Sequence, residues 1–164
     1  MPLLTLPKAL TLRESLRAEG KALVLTNGIF DLLHLGHLEY LERARALGEA
    51  LFVGVNGDGS ARQLKGDRRP FVPAVERARL IGALACVTAA VIFDDLTAIP
   101  LVRALRPEIY AKGGDYADKP LPEADAVREV GGRIVLIEYA LDHSTTGLIA
   151  RIRQTSNDKR ESDV

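Results

Sequence analysis

Five short apolar runs, each separated from the next by room for a helix, limit what this chain can fold into. They fall at 22–25, 51–55, 88–93, 108–111 and 133–138. Runs of that length suit strands, and Leu51 to Val55 is so uniformly apolar that a strand covered on both faces is expected. The segments between them carry helix punctuation. Thr11-Leu-Arg-Glu14 is a capping-box pattern that opens a short helix ended by Gly20. Leu38, Leu41, Ala44 and Leu47 have helical spacing and stop at Gly48. Pro73 suits the first turn of a helix reaching Ala85. Pro100 inside Leu96–Leu105 demands a kink or a boundary near Ile99. Glu123 to Val130 is a short helix ended by Gly131 and Gly132, and Asp142-His-Ser-Thr-Thr146 caps a last helix through Gln154. This alternation predicts a Rossmann-like three-layer α/β sandwich with a five-stranded parallel sheet and right-handed crossovers. Residues 1–20 read as an N-terminal extension, irregular to Leu10 and then helical. Residues 21–154 form the main domain and 155–164 a polar, flexible tail.

The junction after the first run is the richest chemically. Thr26 to Leu41 reads Thr-Asn-Gly-Ile-Phe-Asp-Leu-Leu-His-Leu-Gly-His-Leu-Glu-Tyr-Leu: strand end, loop, helix start. Helix starts present unpaired N–H groups and a partial positive charge, which suits phosphate. His34 and His37, three apart, can aim two ring N–H donors at one anion. Gly36 removes a side chain where a phosphate must approach the backbone. Taken singly, a histidine near a helix start is an ordinary hydrogen-bonded residue, and Asn27-Gly28 is a turn signal. The combination is the informative part.

A second loop, Asn56 to Pro70, is glycine-rich and carries Arg62, Lys65, Arg68 and Arg69. It follows a parallel strand, so it belongs at the carboxyl edge of the sheet, where ligands bind in such folds. It is no dinucleotide fingerprint, because Arg62 stands where the third glycine is needed, and no Gly-Lys-Ser/Thr follows to make a phosphate loop of the Walker type. The same topology brings His34, His37, Lys65, Lys112 and Ser144 to one edge.

Lys and Arg number 22, as do Asp and Glu, so nothing here has the basic excess of a nucleic-acid protein. No apolar run approaches the length of a membrane span, and the first residues lack the order of a signal peptide. A single cysteine, Cys86, excludes a disulfide framework, fits a reducing cytoplasm and reads as a buried inert thiol.

The string Thr-Asn-Gly-x-Phe-Asp-Leu-Leu-His-x-Gly-His is the signature of the nucleotidyltransferase superfamily that includes the cytidylyltransferases. Val55-Asn-x-Asp58, Leu64-Lys-Gly-x-x-Arg69-Pro, Glu76-Arg77, Lys112-Gly-Gly-Asp-Tyr116, Gly131-Gly132 and Ser144-Thr-Thr follow in order. From Lys21 to Ile152 the chain resembles the bacterial D-glycero-β-D-manno-heptose 1-phosphate adenylyltransferases. The resemblance implies that 21–154 is a nucleotidyltransferase domain, in which a sugar 1-phosphate oxygen attacks the α-phosphorus of ATP and expels pyrophosphate. His34, His37 and Lys65 would be catalytic, stabilising the five-coordinate phosphorus. Asn27, Gly28, Ile29, Phe30 and Gly36 would line the nucleotide cleft, with Lys112 and Gly113 at its phosphates and Ser144, Thr145 and Thr146 holding the β- and γ-phosphates. Asp31, Asp58, Arg69, Arg77 and Asp115 would serve the sugar phosphate. Mg2+ would bridge phosphate oxygens through water, with no direct protein ligand. The resemblance further implies a homodimer, a cytoplasmic setting, and a separate sugar kinase upstream.

Other readings compete. Asp142-His143-Ser144 as a hydrolase triad fails because consecutive residues rarely achieve triad geometry, whereas Asp142 or Ser144 as a helix cap is a real alternative. Arg77 could equally be a surface ion pair. The three histidines come with no ligand-spaced metal set. A CTP-dependent cytidylyltransferase acting on glycerol 3-phosphate is the nearest alternative, but Tyr139-Ala-Leu-Asp-His-Ser-Thr-Thr lacks that branch's Arg and Gly. A nucleotide-binding module without turnover is the non-enzymatic alternative.

Overall fold

A computed structural model describes residues 3–113, 120–138 and 145–161. In chain order the elements are β1 (Leu3–Leu4), α1 (Leu6–Ala18), β2 (Leu23–Gly28), α2 (Leu35–Arg45), β3 (Ala50–Asn56), α3 (Asp58–Lys65) and α4 (Ala74–Gly82). Then come β4 (Ala89–Phe93), α5 (Ile99–Leu105), β5 (Ile109–Gly113), α6 (Ala124–Glu129), β6 (Arg133–Ile137) and α7 (Thr145–Glu161). The strands form one sheet in the order β1-β4-β3-β2-β5-β6, with every pairing parallel. The α/β class and parallel sheet are as expected.

The sheet has six strands, not five. Leu3 and Leu4 pair with Ala90 and Val91 of β4, so the lead-in read as irregular is the sheet's edge. Two residues are too few for any period to register. The first helix also starts five residues early, with Pro7 in its first turn; Thr11 lies inside it and donates its hydroxyl to the Pro7 carbonyl at 3.2 Å. Asp58–Lys65, read as loop, is a helix: the glycines sit at Gly57, Gly59 and Gly66, at or near its two ends, and leave Ser60 to Lys65 free to coil. Pro100 falls in the first turn of α5, so a boundary, rather than a kink, answers it. α7 continues to Glu161, past the predicted end at Gln154.

Side chains alternate across the sheet with period two and build two cores. Leu23, Leu25, Phe52, Val91 and Tyr110 face one way, packed on Ala9 and Leu16 of α1, Leu101, Val102 and Leu105 of α5 and Val127 of α6. Val24, Leu51, Val53, Val55 and Ala90 face the other, against Tyr40, Leu41 and Ala44 of α2 and Ala78 and Ile81 of α4. These are the three layers. Cys86 is half-buried, and burial pushes its thiol pKa up, which keeps it protonated and inert.

At the amino edge, Arg13 of α1 is fully buried. It donates to the carbonyls of Leu105 and Arg106 at 2.9 Å each and to Glu108 at 2.5 Å; Glu108 in turn accepts the Leu23 N–H at 2.8 Å. At the opposite edge the strand order creates an opening. The chain walks β2, β3, β4 to one side, then crosses to place β5 against the other flank of β2. The β2/β5 seam is therefore the switch point, and ligands bind in such crevices outside the carboxyl ends of the strands.

Candidate functional site

The loop after β2 enters that crevice. Gly28 is there because of Phe30: a Cβ on Gly28 would sit 3.0 Å from the Phe30 ring. Phe30 itself adopts φ of 50°, a left-handed conformation that side chains other than Asn and Asp seldom hold without support. Its ring meets that of His37 edge-on, centroids 5.3 Å apart. His34 caps α2 in an extended conformation and accepts the His37 N–H at 2.9 Å. One helical step of three residues then stacks the two imidazoles, centroids 3.8 Å apart and 21° from parallel. Buried Gly36 keeps the turn between them clear.

Two stacked imidazoles cannot both be charged cheaply. Burial first, and the neighbouring His34 second, lower the His37 pKa from 6.5 to about 4. At neutral pH His37 is thus an uncharged ring offering one N–H donor and one acceptor. Its Nδ1 is buried and makes no hydrogen bond among the described residues.

The seam itself carries the second part of the site. Leu25 and Tyr110 are register partners, so period two sets Asn27 against Lys112 on the same face. Asn27 Oδ1 accepts the Tyr110 hydroxyl at 2.5 Å and the Lys112 ammonium at 2.8 Å. Lys112 is 7% exposed, and its Nζ lies 5.7 Å from the Tyr110 ring centre. On the other face the Thr26 and Tyr40 hydroxyls are 2.7 Å apart, and Tyr40 donates to the Ala111 carbonyl at 3.1 Å, tying α2 to both strands. Thr26, Tyr40 and Tyr110 were not expected to matter; Tyr110 was hidden within an apolar run, although its two-residue offset from Lys112 was a usable signal.

The third part is the link between α3 and α4. Asp31 is buried and accepts from Arg69 at 2.7 Å and from the N–H groups of Phe71 and Val72 at 2.7 and 3.0 Å. Arg69 also lies over the Phe71 ring. Asp58 accepts the Ala74 N–H at 2.9 Å and Arg77 Nη2 at 2.8 Å. Arg77 is buried, so it is not the surface ion pair that was one reading of it. Lys65, at the last turn of α3, is exposed together with Arg62 and Arg68, and no described hydrogen bond joins it to the histidines. Gly113 ends β5. Thr145 opens α7 half-buried and Thr146 follows in its first turn; Asp115 and Ser144 lie outside the described residues. Among the described residues no group of three His, Cys, Asp or Glu side chains is arranged to hold a metal ion, and no helix is long and apolar enough to cross a membrane.

A family profile described as cytidylyltransferase-like matches residues 25–155, most of the chain. The chain belongs to the cytidylyltransferase-like family. Among its relatives in that family, the bifunctional protein HldE of Syntrophotalea carbinolica is 47% identical over 86% of this chain, and that of Helicobacter pylori 43% over 94%. The matches cover 30% and 33% of those proteins, so the chain spans about a third of the curated relatives it matches. In solved structures, a lipopolysaccharide core biosynthesis protein from Thermoplasma volcanium superposes with TM-score 0.60 at 27% identity, over 76% of this chain and 100% of that one. Pantothenate synthetase from Thermus thermophilus shares the fold at TM-score 0.62 and 17% identity, over 87% and 63%. The cytidylyltransferase-like family match begins in β2 and ends in α7, so β1 and α1 lie outside it.

Proposed function

We propose that this chain is a nucleotidyltransferase that moves AMP from ATP to D-glycero-β-D-manno-heptose 1-phosphate, giving ADP-heptose and pyrophosphate. The observation that carries the reading is the stacked His34–His37 pair at the start of α2, the helix that follows β2. The order of the sequence strings, the identity to the HldE proteins and the likeness to a lipopolysaccharide core biosynthesis protein support the sugar.

In this reading an oxygen of the sugar phosphate, already an anion, attacks the α-phosphorus. A new P–O bond forms, the α–β bridge bond breaks, and its electron pair leaves on pyrophosphate. No general base is needed; the protein orients groups and neutralises charge. His34 and His37 donate to the triphosphate, and an anion beside His37 favours its protonated form. Lys65 serves the α-phosphate, and Lys112 with Gly113 the nucleotide phosphates. Ser144, Thr145, Thr146 and the start of α7 hold the β- and γ-phosphates. Asn27, Gly28, Ile29, Phe30 and Gly36 line the nucleotide side. Asp31, Asp58 and Arg69, already engaged within the protein, serve the sugar phosphate by holding the loops around it, and Asp115 takes sugar hydroxyls. Mg2+ would come bound to the triphosphate and would supply neutralisation of its charge. Asp31 and Asp58 are occupied by Arg69 and Arg77, which supports coordination by phosphate and water. A sugar kinase supplies the acceptor, the setting is cytoplasmic, and the assembly is a homodimer, which sedimentation equilibrium tests.

The deciding assay follows pyrophosphate release with ATP or CTP and a panel of sugar and glycerol phosphates. Release is expected with ATP and heptose 1-phosphate. Release only with CTP overturns the base assignment; nucleotide binding without release from any acceptor makes the chain a binding module.

A further inference from the structure

Arg77 is the most heavily committed side chain near the site. Its Nε donates to the Val72 carbonyl at 2.8 Å, its Nη1 to the Ile29 carbonyl, and its Nη2 to the Asn56 carbonyl and Asp58, each at 2.8 Å. The side chain is 0% exposed, so it has no surface left to offer a substrate. Its four acceptors belong to three separate segments: the loop after β2, the end of β3 with the first turn of α3, and the link into α4. The Val72 peptide is gripped from both sides, its N–H by Asp31 and its carbonyl by Arg77.

The Ile29 contact has the sharpest consequence. A carbonyl oxygen fixes the plane of the peptide that follows it, here Ile29–Phe30. That plane bears on φ of Phe30, among the described residues the one buried apolar residue in the left-handed region. With φ so fixed, the Phe30 ring folds over Gly28 and meets His37. We propose that Arg77 is a positioning residue for His37: by holding the Ile29 carbonyl it maintains the left-handed turn that lays the Phe30 ring against that imidazole. A lysine could not replace it, because one ammonium cannot span carbonyls of three segments and a carboxylate in a planar fork. The kinetic consequence rests on the transferase reading; the structural one does not.

The test is Arg77→Lys, with the His37 ring followed by NMR through a pH titration. Phe30 and His34 are the described rings against His37, and His34 is its titratable neighbour. Releasing Phe30 re-admits water, so the midpoint, about 4 in the native chain, is expected to rise by about one unit or more toward 6.5. In the pyrophosphate assay kcat is expected to fall about 10- to 100-fold with KM for ATP within about twofold, as misplacement of a catalytic group predicts. An unmoved midpoint, or a raised KM with native kcat, overturns the proposal. Should Arg77→Lys fail to fold, Gly28→Ala presses on the same Phe30 ring while every Arg77 bond stays, and a His37 midpoint unchanged there overturns it. If the native chain releases no pyrophosphate with any nucleotide, the transferase reading falls while the titration still decides the role of Arg77.

Discussion

Among the described residues two arginines are almost completely buried, and they sit at opposite edges of the same sheet. Arg13 is 0% exposed and Arg77 1%. Each uses a planar fork on backbone carbonyls, Arg13 on the adjacent Leu105 and Arg106 and Arg77 on three separate segments, and each pairs with a partly exposed carboxylate, Glu108 or Asp58. The amino-edge set joins α1 to the turn between α5 and β5 and, through Glu108, to the start of β2, and it takes in the left-handed Arg106 that ends α5. The carboxyl-edge set joins the loop after β2, the β3–α3 junction and the link into α4, and lies beside the left-handed Phe30, whose ring meets half-buried His37. The same chemistry thus secures the fold at one edge and, as proposed above, sets the surroundings of His37 at the other. What differs is what lies beside the grip: at the amino edge a left-handed Arg106 that closes a helix, at the carboxyl edge a left-handed Phe30 whose ring meets His37.

The largest way to break this comparison is Arg13→Met. It leaves the carbonyls of Leu105 and Arg106 without their Arg13 donor, at about 1–3 kcal/mol for each buried acceptor left unpaired, and removes the partner of half-exposed Glu108. Urea unfolding should show that loss, while kcat per folded molecule stays within about twofold; a matching fall in kcat would erase the distinction between the edges. Next, His37→Ala should cut kcat by about 10²–10³-fold, the usual cost of one transition-state donor, with the urea midpoint at pH 7.5 little changed. An unchanged rate would remove the histidine from the chemistry.

Acid separates the edges further. The folded His37 resists protonation down to about pH 4, while the unfolded chain takes that proton near 6.5. The unfolded state binds more protons in that window, so stability falls as pH drops from 6.5 to 4, by on the order of 3 kcal/mol in total. Glu108 acts lower. Partial burial alone would raise its pKa, but the Leu23 N–H and the Arg13 guanidinium outweigh burial and hold it below 4.5. Its contribution is intact above 4.5 and disappears as pH falls through the lower folded value. Unfolding free energies measured from pH 7.5 to 3 should lose the upper slope in His37→Ala and the lower one in Glu108→Gln. The smallest effect belongs to Arg103→Ala, which removes an exposed pair with Glu129 and should cost no more than about 1 kcal/mol.

The carboxyl edge was far more legible in the sequence than its supports. His34 and His37 were picked out because their residue type and spacing suit phosphate, and Asn27 and Lys112 through the family strings; the two imidazoles stack, and Lys112 donates to Asn27 across the β2/β5 seam. Asp31 and Arg77 were picked out too, but for the substrate; their packing turns both inward. Arg13 gave no signal, because a charged residue on a short helix looks like any solvated one. β1 was missed for want of length, and α3 because glycines near its ends resembled a loop.

Local pattern alone therefore determined the alternation of strands and helices, the histidine pair and the family, because these depend on period and residue type within a short window. Strand order, which charged groups are buried, and the protonation of His37 were decided only when segments far apart met. Burial and hydrogen-bond partners are properties of the neighbours a side chain acquires, and a guanidinium is the same in sequence whether it faces water or three carbonyls.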